Sequence, residues 1–260
     1  TAASGAPANG AASRSAGPAE QALAAVPAVA ALRAGRTVDA TDAVTAGATA
    51  ADAGRAGATA PRLSEWEVAV ARFALLLAAL DVDDDIIPAI LDWLDADSDT
   101  RFPHGAEDDY YMDRDDPYRA ANRPFADLSE LRLVRSVTPE IYARVAPFLC
   151  VLPMPSDINV NMAPPEILMA LGPAIDRGTA DLLVEARTAQ PFRNVDEMLD
   201  FPLLAGRPLL PGGLATTTTW FALDMHARIG DSALSARALL ARSAPDRIEV
   251  LNRQRSFVDE

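Results

Sequence analysis

The chain has 260 residues, 50% of them hydrophobic and 23% charged, enough for one large or two small domains with a packed core. Its 37 acidic residues outnumber 23 basic ones, all arginine, and a formal charge of -14 opposes phosphate backbones unless a local basic patch intervenes. One cysteine and two histidines exclude a cysteine-based zinc site and an intrachain disulfide, and no apolar run reaches the roughly 18 to 20 residues that span a bilayer.

Residues 1–62 stand apart. Alanine fills 25 of the first 60 positions, and the first aromatic residue is Trp66. Within the first 60, four acids (Glu20, Asp39, Asp42, Asp52) balance four arginines, so the whole net charge lies further on. A segment this poor in large side chains cannot bury enough surface to offset its ordering entropy, and it reads as a flexible linker. Structure is expected from Ser64, where Ser64 and Glu67 form a capping box ahead of Val68, Val70, Phe73, Leu76, Leu77 and Leu80 at helical spacing. Pro88 is expected to open a second helix through Ile90, Leu91, Trp93 and Leu94. An acidic loop follows over 95–127. Short helices are then predicted at Ser129–Leu133, Pro139–Val145, Pro164–Leu171, Thr179–Arg187 and Val195–Leu199, making a helical domain of 63–212. From 213 to 260 the period changes to two. Three antiparallel strands are predicted at Thr216–Ile229, Ser232–Arg242 and Arg247–Arg253, with Gly230-Asp231 as a hairpin turn. Phe221, Leu223, Met225, Ala227 and Ile229 share one face, which needs a cover: either the helical unit or a helix from outside this chain.

The densest chemical feature is the acidic loop. Fourteen carboxylates lie between Asp81 and Asp116, against two arginines. Asp95, Asp97 and Asp99 alternate, and Glu107, Asp108 and Asp109 follow behind Gly105. Hard oxygen ligands at adjustable distances suit Ca²⁺ better than Mg²⁺, which demands stricter geometry and keeps its waters. The loop is not an EF-hand, since Thr100 stands at the sixth position and Ala106 at the twelfth. A solvated acidic face is the plainer reading. Against it, Trp93, Phe102, Tyr110 and Tyr111 flank the run and should draw it into the fold, where like charges need a cation.

Enzymatic readings fare worse. Adjacent acids in one loop do not make the facing carboxylate pair of a glycosidase, and no nucleotide or nucleophile-elbow motif occurs. Cys150 lies in the apolar run 148–152 and reads as a small buried hydrophobe, while His226 falls on the polar face of its strand. Asn161 is read as a cap for the helix near Pro164. The stretch 158–199 resembles helix-hairpin-helix units, whose common version binds DNA backbone. Here the hairpin from Gly172 to Gly178 lacks closely spaced glycine amides, and Asp176 and Asp181 oppose phosphate, so it reads as a packing module.

Several stretches together carry a more specific resemblance: 91–99, 105–111, 117–124, 128–134, Cys150-Val-Leu-Pro153, Ile158-Asn-Val-Asn161 and Phe192-Arg-Asn-Val195. Over about 67–253 the chain resembles general secretion pathway protein K, the largest minor pseudopilin family of type II secretion. That resemblance implies an α+β protein, a pilin-like antiparallel sheet with a large helical inserted domain that contains the helix-hairpin-helix-like units. It implies Ca²⁺ held by Asp97, Asp99, Glu107 and Asp108, with Asp95 and Asp109 beside them. It further implies a non-enzymatic protein at the pseudopilus tip, with minor pseudopilins I and J as partners and exported proteins as further candidates. Its place would be the periplasm, anchored in the inner membrane by an N-terminal helix. The family's leader, N-terminal helix and first strand find no match here, so the chain, which starts at Thr1, is expected to be a piece of a longer protein. The alternative is a helix-hairpin-helix nucleic-acid-binding protein, which the charge disfavours.

Overall fold

The computed structural model describes residues 63–154, 156–210, 212–229, 232–244 and 246–258. The linker expected at 1–62 and the turn at Gly230-Asp231 lie outside the described residues. What is described is an α+β chain: helices first, an antiparallel sheet last.

Helix α1 (Glu65–Ala79) starts where the capping box places it: Glu67 N–H donates to Ser64 Oγ at 3.2 Å and Ser64 N–H to Glu67 Oε2 at 2.7 Å. Helix α2 (Ile86–Leu94) begins two residues before Pro88, which sits in the first turn, where a missing N–H costs nothing. Their apolar stripes meet in a first core of Trp66, Phe73, Leu77, Ile86, Ile90 and Trp93. Helix α3 (Asp108–Met112) interrupts what the sequence offered only as loop, and its Tyr111 is fully buried in the same core. A 3₁₀ turn (Leu128–Leu133) and α4 (Pro139–Val145) close this core with Leu131 and Val145. The second core gathers Val160, Leu168, Leu171, Leu183, Phe192 and Met198 from α5 (Pro165–Met169), α6 (Arg177–Ala189), α7 (Val195–Leu199) and the loops between them. Each fully buried side chain of this size contributes about 1.5 to 3 kcal/mol.

Two local expectations are corrected here. Asn161 does not cap α5, whose N-cap is Pro164. Instead it clamps the chain at Phe192, donating Nδ2–H to the Phe192 carbonyl and accepting the Phe192 N–H, both at 2.9 Å. Cys150 is exposed, because its strand-like stretch turns only Leu152 fully inward.

A short parallel ladder, absent from the sequence reading, ties the end of the helical part to its middle: β1 (Ile158–Asn159) pairs with β2 (Leu214–Ala215). Two-residue strands carry no period to read. The buried Arg72 of α1 reinforces the tie, donating Nη2–H to the carbonyls of Leu210 and Gly212, each at 2.6 Å.

The sheet runs β3 (Trp220–Ile229), β4 (Ser232–Ala244), β5 (Arg247–Val258), all antiparallel in that order. Phe221, Leu223 and Met225 lie opposite Leu240, Ala238 and Ala236, so the apolar sets share one face. The other face is polar. Arg237 there donates to Asp224 at 2.6 Å, and His226 Nδ1 meets Ser235 Oγ at 2.9 Å. The helical unit does not cover the apolar face: Phe221 is 39% exposed, Leu223 40%, Met225 52% and Val250 43%. No helix among the described residues is long and apolar enough to cross a membrane.

Candidate metal centre

The acidic loop is organised from α2 outward. Asp92, in the last turn of the helix, points inward and its side chain is wholly buried. Arg101 folds back to meet it: its backbone N–H donates to Asp92 Oδ2 at 3.1 Å and its Nη1 to Asp92 Oδ1 at 2.6 Å. The same Nη1 is bonded to Asp95 Oδ2. The loop then closes through Gly105, whose N–H donates to the Arg101 carbonyl at 2.6 Å. A Cβ on Gly105 would lie 2.2 Å from Asp92 Oδ2 and 2.4 Å from that carbonyl, so only glycine fits. From the far side, Arg135 Nη1 donates to the Gly105 carbonyl at 2.8 Å, with its guanidinium 4.8 Å from the Tyr110 ring centre.

This closure brings three predicted ligands together. One carboxylate oxygen each from Asp95, Asp97 and Glu107 lie within 4.8 Å of one another. Glu107 is only 3% exposed, yet neither of its oxygens has a hydrogen-bond partner among the described residues. Asp95 Oδ1 is likewise buried and unpartnered. Asn122 adds a fourth orphan oxygen: its Oδ1 is unpartnered while its Nδ2 donates to the Asp97 carbonyl at 3.5 Å. Burial, and then the charges of Asp92, Asp95, Asp97 and Asp108, push the Glu107 carboxyl up to about 8. Asp92 and Asp95 are also raised by burial, against the opposing pull of Arg101.

The other predicted ligands stand elsewhere. Asp108 accepts from Ala120 N–H at 3.0 Å and Arg119 Nη1 at 3.2 Å, joining the ends of the loop. Asp109 is exposed on α3. Asp99 is exposed too, and its own N–H donates to Asp97 Oδ1 at 2.9 Å, turning the chain around Asp97. Of the aromatics expected to draw the loop inward, Trp93 and Tyr111 do so, their rings 5.2 Å apart edge to face. Phe102 does not; it is 90% exposed on the turn before Gly105. Sequence reasoning missed Asn122, Asp92 and Arg101. The one signal was that Arg101 is one of only two arginines among the fourteen acids.

Chemically, the centre is a set of hard oxygens, partly buried, with a surplus of negative charge. Orphaned carboxylate oxygens at 3% exposure are costly unless a cation meets them, and the donor set fits a hard divalent ion.

Family models for "Type II secretion system (T2SS), protein K" match residues 49–154 and 158–218. The chain belongs to the type II secretion system protein K family. Protein K of Pseudomonas aeruginosa is 33% identical over 189 residues, covering 71% of this chain and 56% of that protein. Protein K of Aeromonas hydrophila is 30% identical over 213 residues, covering 76% of this chain and 63% of that protein. The chain thus spans little more than half the length of these curated relatives. A crystal structure of the GspK-GspI-GspJ complex from enterotoxigenic Escherichia coli is similar with a TM-score of 0.65 and 29% identity. That likeness covers 75% of this chain and 72% of the solved one.

Proposed function

We propose that this protein is a non-enzymatic minor pseudopilin of type II secretion, which joins pseudopilins I and J at the pseudopilus tip and helps start fibre assembly. The observation that carries this reading is the likeness to the chain solved in the GspK-GspI-GspJ complex, at an identity high enough to reflect common descent. Membership of the protein K family supports it. In this reading the three-stranded sheet is the pilin-like part. Its exposed apolar face, Leu223, Met225 and Val250 included, is the seat of a pilin helix that anchors the protein in the inner membrane. The helical domain, with its helix-hairpin-helix-like units, then projects into the periplasm as an insertion.

Ca²⁺ belongs to this proposal. Asp95, Asp97 and Glu107, with Asn122 beside them, hold the ion; it supplies the countercharge that keeps the 95–107 loop closed over Trp93 and Tyr111. Nothing favours nucleic-acid binding. Two amides there are engaged inside the protein, Ile175 N–H donating to the Gly172 carbonyl at 3.1 Å and Thr179 N–H to Asp176 Oδ1 at 2.7 Å, and the exposed turn carries the acidic Asp176. Gly172 itself is packed against Pro208, whose carbonyl would lie 2.3 Å from an added Cβ.

Size-exclusion co-elution of the 260-residue chain with soluble domains of pseudopilins I and J, with and without calcium, tests the reading. A stoichiometric complex is expected, more stable with calcium. Failure to associate under either condition, also when the chain is extended by a pilin helix, overturns it.

A further inference from the structure

The geometry points to Arg101 as the positioning residue of the cation centre: an internal guanidinium that holds Asp95 in its ligating orientation before any metal arrives. The inference rests on the proposed metal role of Asp95, Asp97 and Glu107. Arg101 binds one oxygen of Asp95 and leaves the other, Oδ1, buried and unpartnered, on a carboxylate that converges with those of Asp97 and Glu107. Its Nη1 also holds Asp92, and its backbone N–H makes the turn onto the same carboxylate. One side chain therefore fixes both the helix end and the loop that must return to Glu107.

A cation placed beside a cation site should weaken it by repulsion, which predicts tighter calcium binding on removing Arg101. The burial of Asp92 reverses that expectation. Asp92 is wholly buried, and losing its guanidinium partner shifts it toward the neutral carboxyl. Arg101 and the Asp92 charge thus leave the field together, as a neutral pair, and the electrostatics at the ligands change little. What is lost is order. Asp95 regains its rotamers and the loop its freedom, and both must be paid for when the ion binds.

Calorimetric titration of the 260-residue chain with calcium tests this. Arg101→Gln is expected to weaken binding at least tenfold, and Arg101→Lys, which keeps a charged donor but not the rigid, planar guanidinium, to fall between it and the wild type. Asp92→Asn added to Arg101→Gln should weaken binding no further, because the two act as one unit. Saturating calcium should restore most of the melting temperature lost by Arg101→Gln. A purely structural arginine would instead leave equal deficits with and without the ion. Affinity in Arg101→Gln equal to or tighter than wild type overturns the inference while leaving the site in place. So does a variant that stays unfolded in saturating calcium. No calcium binding by the wild-type chain overturns the site itself, and the inference with it.

Discussion

Glu107 is the side chain on which the metal reading turns, because it is buried with neither oxygen partnered. Its carboxyl is raised from the ordinary 4.5 to about 8, so the metal-free folded state holds a proton that the unfolded chain releases. The sign follows: metal-free stability is highest below about pH 4.5 as far as this group is concerned, and falls as pH rises through 8. Asp92 and Asp95, also raised, push the same way. Calcium should cancel the loss, since it replaces the proton. Melting curves without metal should therefore fall in temperature from pH 5 to pH 8.5, and curves with calcium should not. Glu107→Gln should flatten the metal-free profile, raise the melting temperature at pH 8, and abolish the calcium-induced rise. The gain at pH 8 should be about 1 to 3 kcal/mol, since the amide stays neutral where the carboxylate is desolvated and repelled by its neighbours, although it remains a buried polar group. A glutamine variant that still melts higher with calcium would exclude Glu107 as a ligand.

At this same scale the sequence was half legible. The alternation of Asp95 and Asp97 and the Glu after Gly105 put the three converging carboxylates among six candidates, because type and spacing are visible in one dimension. Asp99 and Asp108 ranked there ahead of Asp95, with Asp109 beside it. The structure separates them by hydrogen bonds to Asp97, Ala120 and Arg119 and by exposure, none of which spacing encodes. Asn122 was beyond reach for another reason: it arrives from 15 residues after Glu107, in a left-handed conformation (φ 45°) that no periodicity announces.

At the scale of elements, long periodic segments declared themselves and short ties did not. Helix α1 began at its capping box, and the three long strands followed from strict alternation. The β1–β2 ladder and the Arg72 tie were invisible, since each joins residues more than 50 positions apart. Arg72 shows what such ties contribute. Burial lowers it to about 10, opposed by Asp157, so it is still cationic at neutral pH, and it is 4% exposed. Arg72→Ala removes two charge-assisted hydrogen bonds and leaves the Leu210 and Gly212 carbonyls without that donor. A loss of about 3 kcal/mol is expected in denaturant unfolding, read as a lower midpoint. Hydrogen exchange should quicken at the Leu210 amide, which donates to the Leu171 carbonyl at 2.8 Å and ties the strap, the stretch that leads into β2, to the second core. An unchanged midpoint would mean that the β1–β2 pairing alone holds the strap.

For the whole molecule, the decisive contrast is between a helical part that buries its own apolar stripes in two cores and a sheet that leaves one face bare. Three antiparallel strands with an uncovered apolar face are marginal by themselves, and contiguous exposed apolar surface marks a surface that something must cover. The two parts should then respond independently to substitution, since distant sites without shared partners add. Leu223→Asp combined with Met225→Asp places charge in the middle of the bare face, opposite Ala238 and Ala236. In the 260-residue chain this pair should lower the fluorescence of a bound apolar dye such as ANS by more than half. The calcium-induced rise in melting temperature should stay the same, because Asp95, Asp97 and Glu107 are held by α2, α3 and Arg101 rather than by any strand. If the dye signal persisted, the apolar surface in solution would lie elsewhere, with exposed Phe102 the first place to look. If the calcium response fell instead, the sheet would be coupled to the metal loop. The cover of the bare face would then be felt in the helical part.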